Sequence, residues 1–158
     1  VEISLNKYTA MLFDKVNDDI KAAMKARDKV RLETLRNIKK VFLEAKTAPG
    51  AGDELSDEAA LKIIQKLAKQ GRETAKTYTD NNRQDLADAE LAQVAVLEEY
   101  LPKALSDEEI EAVVKGIIAQ TGASSMKDMG RVMGMATKQM AGQAEGGTIS
   151  AIVKRLLA

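Results

Sequence analysis

Apolar residues recur along this chain at intervals of three and four, the spacing of one helix face. Phe13, Val16, Ile20, Ala23 and Met24 form the first such run. Asp28 interrupts it and is placed to cap a second helix carrying Leu32, Leu35, Ile38 and Phe42. Ala48-Pro49-Gly50-Ala51-Gly52 predicts a loop, because Pro and paired Gly disfavour a helix interior. Ser56, followed by Asp57 and Glu58, predicts a third helix start with acids near its positive end. Its stripe is Leu61, Ile64, Leu67, Ala68, Ala75 and Tyr78, and Asp80-Asn81-Asn82 ends it. A fourth helix is predicted from about Arg83 to Tyr100.

Leu101-Pro102-Lys103-Ala104-Leu105 is the sharpest boundary, since Pro102 turns Leu101 away from helical dihedrals. Ser106-Asp107-Glu108-Glu109 then reads as a capping box opening a helix with the stripe Ile110, Val113, Val114, Ile117 and Ile118. Thr121-Gly122 supplies its stop. Ser125-Met126-Lys127-Asp128 predicts another start, of a Met-rich helix reaching about Met140. Gly142 to Gly147 is expected to be a turn, and Ile149, Ile152, Val153, Leu156 and Leu157 a last helix. The expected fold is all-α: an N-terminal helical bundle over residues 11–101 and a small three-helix module over 105–158. Residues 1–10 differ in pattern and are expected to be an N-terminal extension ahead of a start at Met11.

Composition agrees with helix packing. The apolar fraction is 45%, yet the aromatics are two Phe and three Tyr, so Ala, Leu, Ile, Val and Met must fill the core. The absence of Cys excludes a disulfide framework, a thiolate nucleophile and a zinc–thiolate site; the absence of His removes the usual general base and commonest metal ligand. No metal or other cofactor is expected. No apolar run approaches the roughly 20 residues that span a bilayer, and no secretory signal pattern is present, which predicts a cytoplasmic protein with no membrane partner.

Three patterns invite a catalytic or ligand-binding reading. Ser124-Ser125-Met126-Lys127 has the S-x-x-K spacing in which Lys activates Ser, but the companion elements of such enzymes are missing, and a helix cap accounts for it. Gly142–Gly147 follows no predicted strand and fits no phosphate loop. Glu98-Glu99 and Asp107-Glu108-Glu109 could supply carboxylates to a cation, but the second group is accounted for by capping. Met126, Met129, Met133 and Met140 share one predicted helix face, as a core stripe or an adaptable partner surface. Gly130 and Gly134, four apart in a predicted helix, each weaken it by about 1 kcal/mol relative to Ala. Either a packed helix or a ligand backbone must therefore come close there.

Charge sums to zero, 24 basic and 24 acidic residues, but is unevenly placed. Lys21, Lys25, Arg27, Lys29, Arg31, Arg36, Lys39, Lys40 and Lys46 face only Asp28, Glu33 and Glu44, whereas the stretch from Asp80 to Glu99 is acidic. The basic stretch could neutralise phosphates or pair with the acidic helix across a bundle. The scarcity of aromatics argues against base stacking on single strands.

Arg83-Gln84-Asp85-Leu86, Val96-Leu97-Glu98-Glu99-Tyr100-Leu101-Pro102, Leu105-Ser106-Asp107-Glu108-Glu109 and Gly122-Ala123-Ser124-Ser125-Met126-Lys127-Asp128-Met129-Gly130-Arg131-Val132-Met133-Gly134 together resemble the YqeY family over Met11 to Ala158. The resemblance implies a C-terminal module similar to the tail of the GatB subunit of tRNA-dependent amidotransferase, a region associated with tRNA. Gly130, Val132, Met133, Gly134, Gly142 and Ala144 match that tail pattern, with Arg131 and Lys138 on or near it. Gly71, within Lys69-Gln70-Gly71-Arg72, departs from the family's more basic form, which weakens the third helix as a phosphate face. The expected function is a non-catalytic tRNA-binding accessory, partnered by an amidotransferase or aminoacyl-tRNA synthetase. Lys127, Arg131 and Lys138 are the expected cations, with Gly130 and Gly134 the points of close approach. The alternatives are a part in carbon–nitrogen ligation with glutamine as amide donor, or a protein-interaction module using the Met face.

Overall fold

A computed structural model describes residues 11–158; the extension expected at 1–10 lies outside the described residues. These residues form seven α-helices, one short 3-10 turn and no strand. The all-α expectation holds. The helices are α1 (Met11–Ala26), α2 (Lys29–Lys46), α3 (Asp57–Asp80), α4 (Gln84–Glu98), α5 (Asp107–Thr121), α6 (Met129–Gln139) and α7 (Gly146–Leu157), with the 3-10 turn at Met126–Asp128. The chain divides into two compact units, up to Leu101 and from Pro102.

Local chemistry starts most of these helices. Asp28 accepts the Arg31 amide at 3.1 Å, Ser56 the Ala59 amide at 3.1 Å and Ser106 the Glu109 amide at 3.2 Å, each satisfying an orphan donor of a first turn. Gly122 ends α5 at φ 70°, in the left-handed region that glycine enters without a Cβ clash.

In the first unit, α1 to α4 enclose Val16, Leu35, Ile38, Phe42, Ile64 and Leu97, among others. Phe42, Leu35, Ile38 and Ile64 are fully buried, each contributing about 1.5–3 kcal/mol of transfer free energy. The most extensive contact is between α3 and α4. There α3 presents Ala68, Gly71 and Ala75, and a Cβ added at Gly71 would lie 2.5 Å from Val94 Cγ2. Gly71 is therefore a packing residue; its position points into α4 and not outward.

The second unit packs α5, α6 and α7 around Ile110, Val114, Ile117, Val132, Ala136, Met140, Ile149 and Val153. Its leading strap is tied down where the Leu105 amide donates to the Gln143 carbonyl at 2.9 Å.

Several expected positions shift. Met24 is exposed, because it lies at the edge of the α1 stripe beyond the reach of α2 and the rest of the core. Met126 is also exposed, while Met140 is buried and Met129 and Met133 pack against the core. The reason is the 3-10 turn at 126–128: its three residues per turn break the phase that a continuous α-helix would give. The turn expected through Gly147 ends sooner, since Gly146 and Gly147 already belong to α7.

Candidate nucleic-acid interface

The segment from Ser124 to Met140 builds its own scaffold. Ser125 Oγ accepts the Lys127 amide at 3.4 Å, and Asp128 Oδ2 reaches back to accept the Ser124 amide at 3.0 Å. That backbone hydrogen bond, with Arg131 nearby, holds the Asp128 carboxyl below its ordinary range despite some desolvation. The Ser125 hydroxyl is thus engaged in starting a turn. Ser124, the serine at S-x-x-K spacing from Lys127, is held here through its backbone amide.

At 100° per residue, Gly130, Arg131, Gly134 and Lys138 fall on one side of α6, and Lys127 precedes them on the 3-10 turn. All five are exposed. Val132 and Ala136 occupy the opposite side and are fully buried. A Cβ added at Gly130 or Gly134 would meet no atom within 4 Å. Neither glycine is required by packing inside the described residues, in contrast to Gly71.

Arg131 does more than its spacing indicates. Its Nη2 donates to the Thr121 carbonyl at 3.3 Å and to Asp128 Oδ1 at 3.3 Å, so it clamps the carboxyl end of α5 to the start of α6. Its side chain remains 55% exposed, with Nε and Nη1 directed to neither contact. The Thr121 link spans ten residues and follows no helical period, so the sequence gives only the weak signal that a helix end leaves carbonyls needing donors. Lys127 and Lys138 make no ion pair among the described residues. The face therefore offers three cations against the single carboxylate of Asp128.

A second polar cluster lies in the first unit, around a hollow of about 550 Å³. Tyr100 donates a short hydrogen bond to Asp19 Oδ2, Lys15 pairs with Asp19 at 3.1 Å, and Arg31 forms a two-pronged pair with Glu99 at 2.7 and 3.0 Å. Burial and the bond to Asp19 push the Tyr100 hydroxyl well above its ordinary value. Burial would raise Asp19, but hydrogen bonds from Tyr100 and Lys15 outweigh it and hold the carboxyl low. Both donors meet on Asp19 Oδ2. The cluster locks α1, α2 and the end of α4 together. Arg72 adds a 3.0 Å pair to Glu98, so two members of the acidic stretch are paired across the bundle. Lys21, Lys25, Lys29, Arg36 and Lys40 stay exposed. Among the described residues, no group of three or more potential metal ligands converges.

The family model of Yqey-like proteins matches residues 13–157, nearly the whole chain. The chain belongs to the YqeY family. Its curated relatives include fungal proteins named altered inheritance of mitochondria protein 41, mitochondrial. The one from Lachancea thermotolerans is 28% identical over 109 residues, covering 68% of this chain and 58% of the relative. That from Pyrenophora tritici-repentis is 28% identical over 137 residues, covering 85% and 74%. The Meyerozyma guilliermondii protein is 32% identical over 99 residues, covering 63% and 50%. The chain thus spans between half and three quarters of the length of these relatives. No described helix is long and apolar enough to cross a membrane.

Proposed function

We propose that this YqeY-family chain is a non-catalytic accessory protein that binds folded tRNA through the exposed face of α6, in support of an amidotransferase or aminoacyl-tRNA synthetase. The observation that carries the reading is the pair Gly130 and Gly134. Each costs the helix about 1 kcal/mol relative to Ala, and each stands beside Arg131 with no packed neighbour to require it. Bare backbone between cations lets a phosphate chain approach to hydrogen-bonding distance, where a side chain would hold it off. Lys127, Arg131 and Lys138 then supply the charge. The scarcity of aromatics favours shape and phosphate contacts over base stacking. The fungal relatives carry mitochondrial names, which supports a mitochondrial setting for this role over the free cytoplasm that the sequence pattern suggests; fractionation of the native host distinguishes the two.

Titration of a folded tRNA transcript across salt, with wild type and a variant neutralised at Lys127, Arg131 and Lys138, tests the site. The variant is expected to bind more weakly, with a salt dependence shallower by about two to three phosphate contacts. Equal salt slopes would remove the contact from α6. No binding to wild type at low salt would discard the tRNA reading and leave the exposed Met126 surface as a protein-docking face. A serine-dependent glutaminase activity of the purified chain would instead favour amide transfer.

A further inference from the structure

The outward side of α3 is a row of cations. Lys62, Lys66, Lys69 and Lys76 fall within about 80° of one another around the helix, Arg72 lies at the edge of the row, and all five are exposed. The row runs about 21 Å along the axis at 1.5 Å per residue. Its own acids are few: Glu58 pairs with Lys62 at 3.5 Å, Glu73 lies within the row, and Arg72 turns to Glu98 at 3.0 Å. Lys66 and Lys76 form no ion pair among the described residues. The departure at Gly71 does not disturb this face, because position 71 packs against Val94 on the opposite side of the helix.

We infer that this face of α3 is a second nucleic-acid contact, one that tracks the sugar–phosphate backbone of RNA; the inference rests on the tRNA reading above. Two observations favour RNA over an acidic protein partner. Between Lys62 and Lys76 the exposed residues are Lys66, Lys69, Gln70, Arg72, Glu73 and Thr74, so no exposed apolar side chain is available as the buried anchor that protein interfaces need. Lysines are also flexible point charges without a bidentate fork, suited to a line of phosphates more than to paired carboxylates. Lys62, Lys66 and Lys69 are spaced by four and three residues, about 6 and 4.5 Å along the helix, comparable to successive phosphates on one strand, and Lys76 follows two turns further on.

The test uses the full chain and the same tRNA transcript. A variant with Lys62→Gln, Lys66→Gln and Lys76→Gln is titrated across salt beside wild type and the α6 variant, with circular dichroism to verify the fold. Its salt slope is expected to be shallower by about two to three contacts and its affinity at low salt at least tenfold weaker. A slope and affinity equal to wild type would overturn the α3 contact while leaving α6 to stand or fall on its own variant. Loss in the α3 variant with none in the α6 variant would uphold this inference and remove the α6 site. Binding to poly-glutamate but not to tRNA, lost in the α3 variant, would overturn the RNA assignment in favour of an acidic protein.

Discussion

A methyl group added at position 71 would have to occupy space that Val94 already fills, 2.5 Å from its Cγ2. Val94 is buried and β-branched, so it cannot swing aside cheaply. Ala is the better helix former by about 1 kcal/mol, but overpacking costs about 1–3 kcal/mol. Gly71→Ala is therefore expected to lower stability, and adding Val94→Ala to recover part of the loss. Gly134→Ala should do the reverse: with open space around it, the helix gains about 1 kcal/mol. Urea denaturation of the variants reads both signs, and a destabilising Gly134→Ala would mean that something unseen packs there. The sequence shows that position 71 departs from its family and that 130 and 134 are glycines in a helix. It does not show why, because the deciding neighbour of Gly71 is 23 residues away on another helix.

Helix starts were the most readable elements because their determinants lie within three residues. Asp28, Ser56 and Ser106 each cap the helix that the pattern assigns to them. The start at Ser125 is different: it caps a single 3-10 turn, with a long 3.4 Å bond, and α6 begins only at Met129. That turn advances about 120° per residue against about 100° in an α-helix, which puts Met126 outside the Met stripe. Caps of full helices contribute about 1 kcal/mol. Ser106→Ala should therefore destabilise the C-terminal unit by about that amount and Ser125→Ala by only a few tenths. Thermal melts of the two variants compare them directly, and equal losses would contradict the secondary role of Ser125. The same locality explains what stayed hidden at the candidate site. The order of cations along α6 is a spacing, but the clamp from Arg131 to the Thr121 carbonyl belongs to the packing of two helices.

At the scale of the molecule, each unit owns its core. The first is filled from residues between Leu12 and Leu101, the second from residues between Leu105 and Leu157. Every partner of the Tyr100 cluster, namely Lys15, Asp19, Arg31 and Glu99, also lies before Pro102. A fragment of residues 11–101 is therefore expected to fold alone as a helical bundle and to keep the pH response of that cluster. Asp19 has a folded pKa held below its ordinary value, so its contribution is present above the carboxylate range and lost as pH falls through the folded value. Tyr100 is shifted upward, so the folded state keeps the proton that an unfolded tyrosine gives up near pH 10. The ionisation of Tyr100 leaves stability unchanged below that point and lowers it as pH rises beyond it. Tyr100→Phe removes the donor to Asp19 and the ionisable phenol together. It should make the fragment less stable at neutral pH, flatten the acid limb and abolish the share of the alkaline loss that Tyr100 contributes. Denaturant midpoints of the fragment at pH 3, 7 and 10.5, with and without the substitution, test the scheme. A fragment without helical signal would sink the autonomy of the first unit, and an unchanged acid limb in the Phe variant would detach Asp19 from Tyr100.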